Sequence, residues 1–348
     1  MTEPTLQVEH LEVDFPTKDG VVHAVRGVDL SLAPGEVLGI VGESGSGKSV
    51  TALATMGLLP KGANVRGSIR FGGDDLLTLK EKELTKVRGT GIAMIFQDPM
   101  TSLNPVYTIG WQITEAILAH QDISKDAAMA RAIELLAMVG IPNPAERVDN
   151  YPHEFSGGMR QRAVIAIAMA NDPEVILADE PTTALDVTVQ AQVLNSLKTA
   201  MAETGAALLL ITHDLGVIAG LADRVLVMYA GRPVEIGTAE DVFYRPSMPY
   251  TLGLLGSLPR LDSDGTERLR QIPGSPPSML GDRTGCPFAS RCPLAADICR
   301  ETEPELVVVP SVNSALGEHR AACHFAEAVG RGDHGKVFSD GVVDNVIV

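Results

Sequence analysis

Positive charge is in short supply in this chain, aromatic residues make up only 4%, and no cysteine precedes position 286. The 28 Lys and Arg against 44 Asp and Glu leave a formal net charge of −16. That is the wrong sign for a protein that grips a phosphate backbone, so nucleic acid is not expected as a partner. No uninterrupted apolar run approaches the roughly 18 residues of a membrane-spanning helix. Met1-Thr2-Glu3-Pro4 lacks the basic start and apolar core of a signal peptide. An intracellular globular protein is therefore expected, held at a membrane only by partners. No tandem repeat of solenoid period is found. What is abundant is aliphatic: 45% of the 348 residues are hydrophobic, enough for a large core and a length of about two domains.

The chemistry begins at Gly42-Glu43-Ser44-Gly45-Ser46-Gly47-Lys48-Ser49, directly behind the apolar run Val37-Leu38-Gly39-Ile40-Val41. Glycines let such a loop turn its N–H groups inward around an anion. Lys48 supplies a point charge for the terminal phosphates, and the Ser49 hydroxyl can ligate Mg2+. A helix over Val50 to Leu59 would aim its positive end at the same phosphates, so a nucleotide with Mg2+ is the expected ligand. Val175-Ile176-Leu177-Ala178-Asp179-Glu180 reads as a buried parallel strand ending in two carboxylates. Asp179 would hold the Mg2+ shell and Glu180 would accept a proton from the attacking water.

Phe155-Ser156-Gly157-Gly158-Met159-Arg160-Gln161-Arg162 opens a third element, with Ser156 placed as an N-cap before an apolar helix. A capping serine and bare N–H groups form a second anion site. At this point the chain resembles the ATP-binding cassette (ABC) ATPases, in which this signature closes over ATP held by the opposite subunit. Phe155 and Met159 depart from the usual flanks, Leu and Gln, but leave the Ser156, Gly157 and Gly158 donors in place. The resemblance implies further roles. Gln97 matches the glutamine that links magnesium and water to the helical region. Asp186, in Ala184-Leu185-Asp186, matches a residue that crosses the dimer interface. His213 matches the switch histidine at the γ-phosphate, and Phe15 is a candidate to stack on adenine, with ordinary core packing as its alternative.

The implied fold is an α/β P-loop NTPase with a RecA-like core, a β-subdomain and an inserted α-helical subdomain, plus a small C-terminal cysteine-containing extension. The nucleotide-binding domain is expected over residues 1–245, with its helical subdomain at about 98–158. β-Rich segments are expected near Leu6 to Phe15 and Val22 to Leu32. Helical periodicity is expected from Ile109 to Gly140, including a helix at Ala127 to Leu136, and a hairpin from Val225 to Ile236 turning at Ala230-Gly231-Arg232. Gln97-Asp98-Pro99-Met100-Thr101-Ser102-Leu103-Asn104-Pro105 and Tyr151-Pro152-His153-Glu154 are similar to segments of the oligopeptide, dipeptide and nickel importers.

That resemblance implies an ATP-hydrolysing subunit for uptake of di- or oligopeptides, or alternatively of nickel or another small solute. It implies a second homologous ATPase, favoured as a heterodimer, two transmembrane permease subunits and an extracytoplasmic peptide-binding protein. The chain would lie peripherally on the cytoplasmic face of the cell membrane. A soluble ABC ATPase acting on nucleic acid is the alternative of a different class, opposed by the charge and the importer-like loop.

The extension, expected over residues 246–330, carries Arg245-Pro246-Ser247-Met248-Pro249-Tyr250-Thr251 and Pro273-Gly274-Ser275-Pro276-Pro277, similar to the peptide-importer tail, with Met248 where that family commonly has His. All four cysteines, Cys286, Cys292, Cys299 and Cys323, lie here, separated by five, six and 23 residues. Such clustering argues for a shared metal or cluster. Close zinc-type pairs are absent, so a 4Fe-4S cluster is expected first, with Zn2+ or simply buried thiols as alternatives. His324 is either a substitute ligand or a support to the ligands. A structural staple is the expected role, with redox sensing as the alternative. Residues 331–348 are expected to be a flexible tail.

Overall fold

A computed structural model describes residues 4–183, 185–257, 272–281, 284–312 and 317–332; the expected tail lies almost entirely outside the described residues. The strands are β1 (Leu6–Thr17), β2 (Gly20–Leu32), β3 (Val37–Val41), β4 (Asn64–Phe71), β5 (Asp74–Asp75), β6 (Ile92–Ile95), β7 (Val175–Asp179), β8 (Ala207–Ile211), β9 (Arg224–Tyr229), β10 (Arg232–Thr238), β11 (Val307–Val308) and β12 (Arg320–Ala321). They form a four-stranded antiparallel sheet in the order β2-β1-β4-β5 and an eight-stranded mixed sheet in the order β11-β12-β10-β9-β3-β8-β7-β6. β3, β8, β7 and β6 pair in parallel, and β9 joins β3 in the same direction.

Continuous apolar runs explain the parallel core. β3, β7 and β8 are buried at every position, as strands covered on both faces must be. Alternation along β3 divides its side chains between two cores. Val37 and Val41 pack with the helices, while Leu38 and Ile40 pack with the antiparallel sheet. Each fully buried Leu, Ile or Val contributes about 1.5–3 kcal/mol over an exposed one.

The helical stretch divides into Ile109–Leu118, capped by Thr108, and Lys125–Met138, capped by Ser124. The Ser124 cap starts the second helix two residues before the expected Ala127. Ile109, Ile113 and Ile117 of the first face Ala128, Ala132, Leu135 and Leu136 of the second in one core. The hairpin forms as expected, with Ala230 and Gly231 both at positive φ, 49° and 82°, the geometry of a tight turn between twisted strands.

The cysteine-bearing segment does not stand apart from the cassette. Helix Pro249–Gly256 buries Tyr250 and Leu255 in the main core, and β12 pairs with β10. Tyr229 of β9, Tyr250 and Phe288 meet with ring centroids 4.5 to 5.4 Å apart, so their contact fastens the tail to the sheet.

Candidate nucleotide site

The loop Gly42–Ser49 lies between the end of β3 and helix Lys48–Thr55. That helix begins two residues earlier than the sequence pattern indicates and ends by Thr55, because Gly57 takes a left-handed φ of 62°. Its N-cap is Gly47, φ 100°, with no side-chain cap, which leaves the first N–H groups free for an anion. A Cβ on Gly47 would stand 2.5 Å from the Ala24 carbonyl, and one on Gly42 2.2 Å from that of Met228, so neither accepts a side chain without movement. The Lys48 ammonium is buried and donates to the carbonyls of Gly42 (2.8 Å) and Glu43 (2.9 Å) and to Ser46 Oγ (3.4 Å). Burial pulls its pKa down, opposed by the charges of Glu180, Asp179 and Glu43. Ser44 and Gly45 are exposed at the tip, and Val50 is half-buried.

The tips of β3 and β7 bring two oxygen donors together: Ser49 Oγ donates to Asp179 Oδ1 at 2.9 Å. Burial raises the Asp179 pKa, the Ser49 bond works against this, and the neighbouring Glu180 charge adds to it. A hydroxyl and a carboxylate this close suit a hard cation such as Mg2+.

Glu180 holds a left-handed φ of 48°, a conformation costing about 1–3 kcal/mol and concentrated at functional sites. Its N–H donates to the Ile211 carbonyl of β8 at 2.8 Å. Its Oε2 accepts from Gln97 Nε2 at 3.0 Å and Thr183 Oγ1 at 2.7 Å, with His213 Nδ1 at 3.4 Å. The structure thus gathers Gln97, Glu180 and His213 from three strand ends. Thr183 has no sequence signal beyond its nearness to Glu180.

Other expected residues lie elsewhere. Ser156 is exposed and caps helix Gly157–Ala168 by accepting from the Met159 N–H at 3.3 Å. Gly157 is exposed; Gly158 is buried, and a Cβ there would stand 2.2 Å from Val189 Cγ1. Asp186 caps helix Val187–Thr204 through the Val189 N–H at 3.0 Å, and Ala184 lies outside the described residues. Phe15, in β1, packs half-buried against the second core.

In the tail, Cys286, Cys292, Cys299 and Cys323 line one pocket with Met248 and Phe288. Met248 is 2% exposed, so where the importer tail commonly has His this chain has an apolar packing residue. Among the described residues, no group of three or more His, Cys, Asp or Glu side chains is placed so as to hold a metal ion. A single ion draws its thiolates to within about 2.3 Å of one point, whereas these thiols are distributed around a pocket wall. Burial pushes Cys286 up, Cys292 to about 11 and Cys323 to about 12, which favours protonated thiols. The His324 ring lies 2.9 Å from the Thr302 carbonyl.

Comparison with known proteins gives consistent matches. Residues 25–183 match the family described as ABC transporter, and residues 234–299 match the oligopeptide/dipeptide transporter C-terminal region. The oligopeptide transport ATP-binding protein OppD of Mycobacterium tuberculosis is 55% identical over 94% of this chain and 52% of its own length. This chain therefore spans about half of that relative. The dipeptide transport ATP-binding protein DppD of Bacillus subtilis is 52% identical over 92% of this chain and 96% of its own length. Among solved structures, the ATP-binding cassette MJ0796, dimeric in a post-hydrolysis state with ADP and Pi, aligns with a TM-score of 0.60 and 27% identity. That alignment covers 67% of this chain and 98% of MJ0796. With cassette and tail both matched and a full-length relative above half identity, the chain belongs to the ATP-binding subunits of the oligopeptide and dipeptide ABC transporter family.

Proposed function

We propose that this chain hydrolyses ATP to drive di- or oligopeptide import. The observation that carries the reading is the convergence of Ser49, Asp179, Gln97, Glu180 and His213 beside a phosphate-shaped loop. In this reading Gly42 to Lys48 wrap the phosphates, and Lys48 exchanges its contacts with the loop carbonyls for phosphate oxygens. Ser49 and Asp179 hold Mg2+, which would neutralise phosphate charge. Glu180, oriented by Gln97 and Thr183, takes the proton from water, and His213 contacts the terminal phosphate. Phe15 serves the adenine end.

Ser156, Gly157 and Gly158 are assigned to ATP held by a second, homologous ATPase, with Asp186 at that interface. The exposed placement of the Ser156 turn supports this, and a heterodimer is favoured. Two permease subunits would dock on the helical region after Gln97. There Met100, Val106, Tyr107 and Trp111 are exposed, the last two stacked with centroids 3.9 Å apart, a surface of the kind that marks an interaction site. An extracytoplasmic peptide-binding protein and a peripheral position on the cytoplasmic membrane face complete the assembly. Among the described residues no helix is long and apolar enough to cross a membrane. The division into a cassette of residues 1–245 and an extension of residues 246–330 belongs to the same reading.

For the tail, the four cysteines are proposed as ligands of a 4Fe-4S cluster rather than of one zinc ion. The shared pocket supports this. The cluster would staple the segment. Iron and acid-labile sulfide in anaerobically prepared protein test it; zinc without sulfide, or no metal, would reject it. The function is tested by peptide uptake and ATP turnover in the assembled transporter. Uptake of nickel but not peptides would reject the substrate assignment.

A further inference from the structure

Residue 43 of the phosphate loop is held from three directions, and two of the three come from outside the loop. Its N–H donates to Tyr250 Oη at 2.8 Å, and its carbonyl accepts from Lys48 at 2.9 Å. Its carboxylate receives a two-pronged pair from Arg291 of the cysteine-bearing tail, at 2.7 and 2.8 Å. The Arg291 side chain is only 4% exposed and Glu43 24%, so this pair differs in kind from the solvated ion pairs that contribute little.

Arg291 is also completely used. Besides Glu43, it donates to the carbonyls of Pro273 (2.9 Å) and Ile272 (3.3 Å) and to Tyr229 Oη (3.2 Å). These account for all five guanidinium N–H groups. Its guanidinium carbon also lies 5.8 Å from the Tyr229 ring centre and 5.9 Å from that of Phe288.

We propose that Arg291 is a positioning residue for nucleotide binding, by which the tail fixes the first half of the phosphate loop and neutralises the Glu43 carboxylate beside the phosphates. This rests on the reading of Gly42–Ser49 as a phosphate cradle. The Glu43 charge is felt at Lys48. Without Arg291, a free carboxylate at residue 43 competes with phosphate for that ammonium and repels the incoming anion. The Tyr250 bond would then be the sole external hold on the residue. The sign of the effect is specific: harm from losing Arg291 comes through the charge of Glu43, so removing that charge should undo most of it.

The test is equilibrium binding of the magnesium complex of a non-hydrolysable ATP analogue to the full-length chain, with nucleotide-free thermal melts run alongside. Arg291→Met is expected to weaken binding about tenfold, and Glu43→Gln added to it to recover most of the loss. Unchanged affinity in folded Arg291→Met, or a loss that Glu43→Gln does not relieve, overturns the proposal. If Arg291→Met does not fold, Arg291→Lys keeps the charge but loses the fork. A smaller weakening, again relieved by Glu43→Gln, is expected, and no weakening overturns the proposal. Wild-type chain that binds no nucleotide would reject the cradle reading itself, a result distinct from failure of the Arg291 role alone.

Discussion

The molecule carries two helix N-termini suited to anions, and they are finished differently. At Lys48–Thr55 the cap is a glycine without a side chain, the ammonium beside it is buried, and the tip of β7 supplies Asp179 and Glu180. At Gly157–Ala168 the cap is Ser156, exposed, with its oxygen already engaged by the Met159 N–H. The first site gathers its charged groups from several elements of this chain. The second is a capped turn in which Gly158 lies so close to Val189 that no Cβ fits. The groups proposed for catalysis collect at the first, so a change there should strike chemistry, whereas a change at the second should strike local stability and association.

The largest expected effect is at Glu180. Glu180→Gln keeps the hydrogen bonds from Gln97 and Thr183 but removes the proton acceptor, and should cut ATP turnover about a hundredfold or more while sparing ATP binding. Undiminished hydrolysis would break the first half of the comparison. Lys48→Ala should weaken nucleotide binding by about 1.5–3 kcal/mol, read by isothermal titration; equal affinity would remove Lys48 from the phosphate site. At the other turn, Gly158→Ala forces a methyl against Val189 and should destabilise the fold by about 1–3 kcal/mol, seen in denaturant unfolding without nucleotide. Ser156→Ala loses only a cap, worth about 1 kcal/mol, and should leave MgATP affinity of the isolated chain unaltered. A loss of affinity there would mean that the two sites are not separate.

The smallest effect lies in the C-terminal tail. His319 is fully buried, its Nε2 2.8 Å from Glu235 Oε1, with Asp241 Oδ1 at 4.0 Å and the Pro310 carbonyl at 3.2 Å. Burial works to lower its pKa, but the Glu235 bond and charge outweigh it, so the pKa is raised. Protonated His319 therefore stabilises the fold fully below its unfolded value of about 6.5, and this contribution fades as pH rises through the folded value. Melting temperature should fall as pH rises above about 6.5, and His319→Gln should flatten that slope.

The phosphate loop, both carboxylates and the signature turn were legible in the sequence because their chemistry is local: glycines, an ammonium and hydroxyls within eight residues, or acids at the end of an apolar run. The parallel strands were legible for the same reason, since burial on both faces writes an unbroken apolar string. Partners chosen by topology were not. Arg291 lies 248 residues from Glu43 and Thr183 reads as an ordinary turn residue. The helix break at 119–124 depends on the Ser124 cap overriding a continuous periodicity. The spacing of the four cysteines does not carry the shape of the pocket they line, because that shape depends on Met248 from another part of the chain as well as on Phe288.

β12 has a consequence for anyone shortening this protein. Arg320 and Ala321 close the outer ladder of β10 at Ile236 and Glu235, and the Ala322 N–H reaches the Val234 carbonyl. A chain cut at residue 245 would leave that ladder as a raw selvedge, with unpaired amides along a buried strand, open to stitching with its own copies. Trimmed preparations should clump where the whole chain stays dispersed.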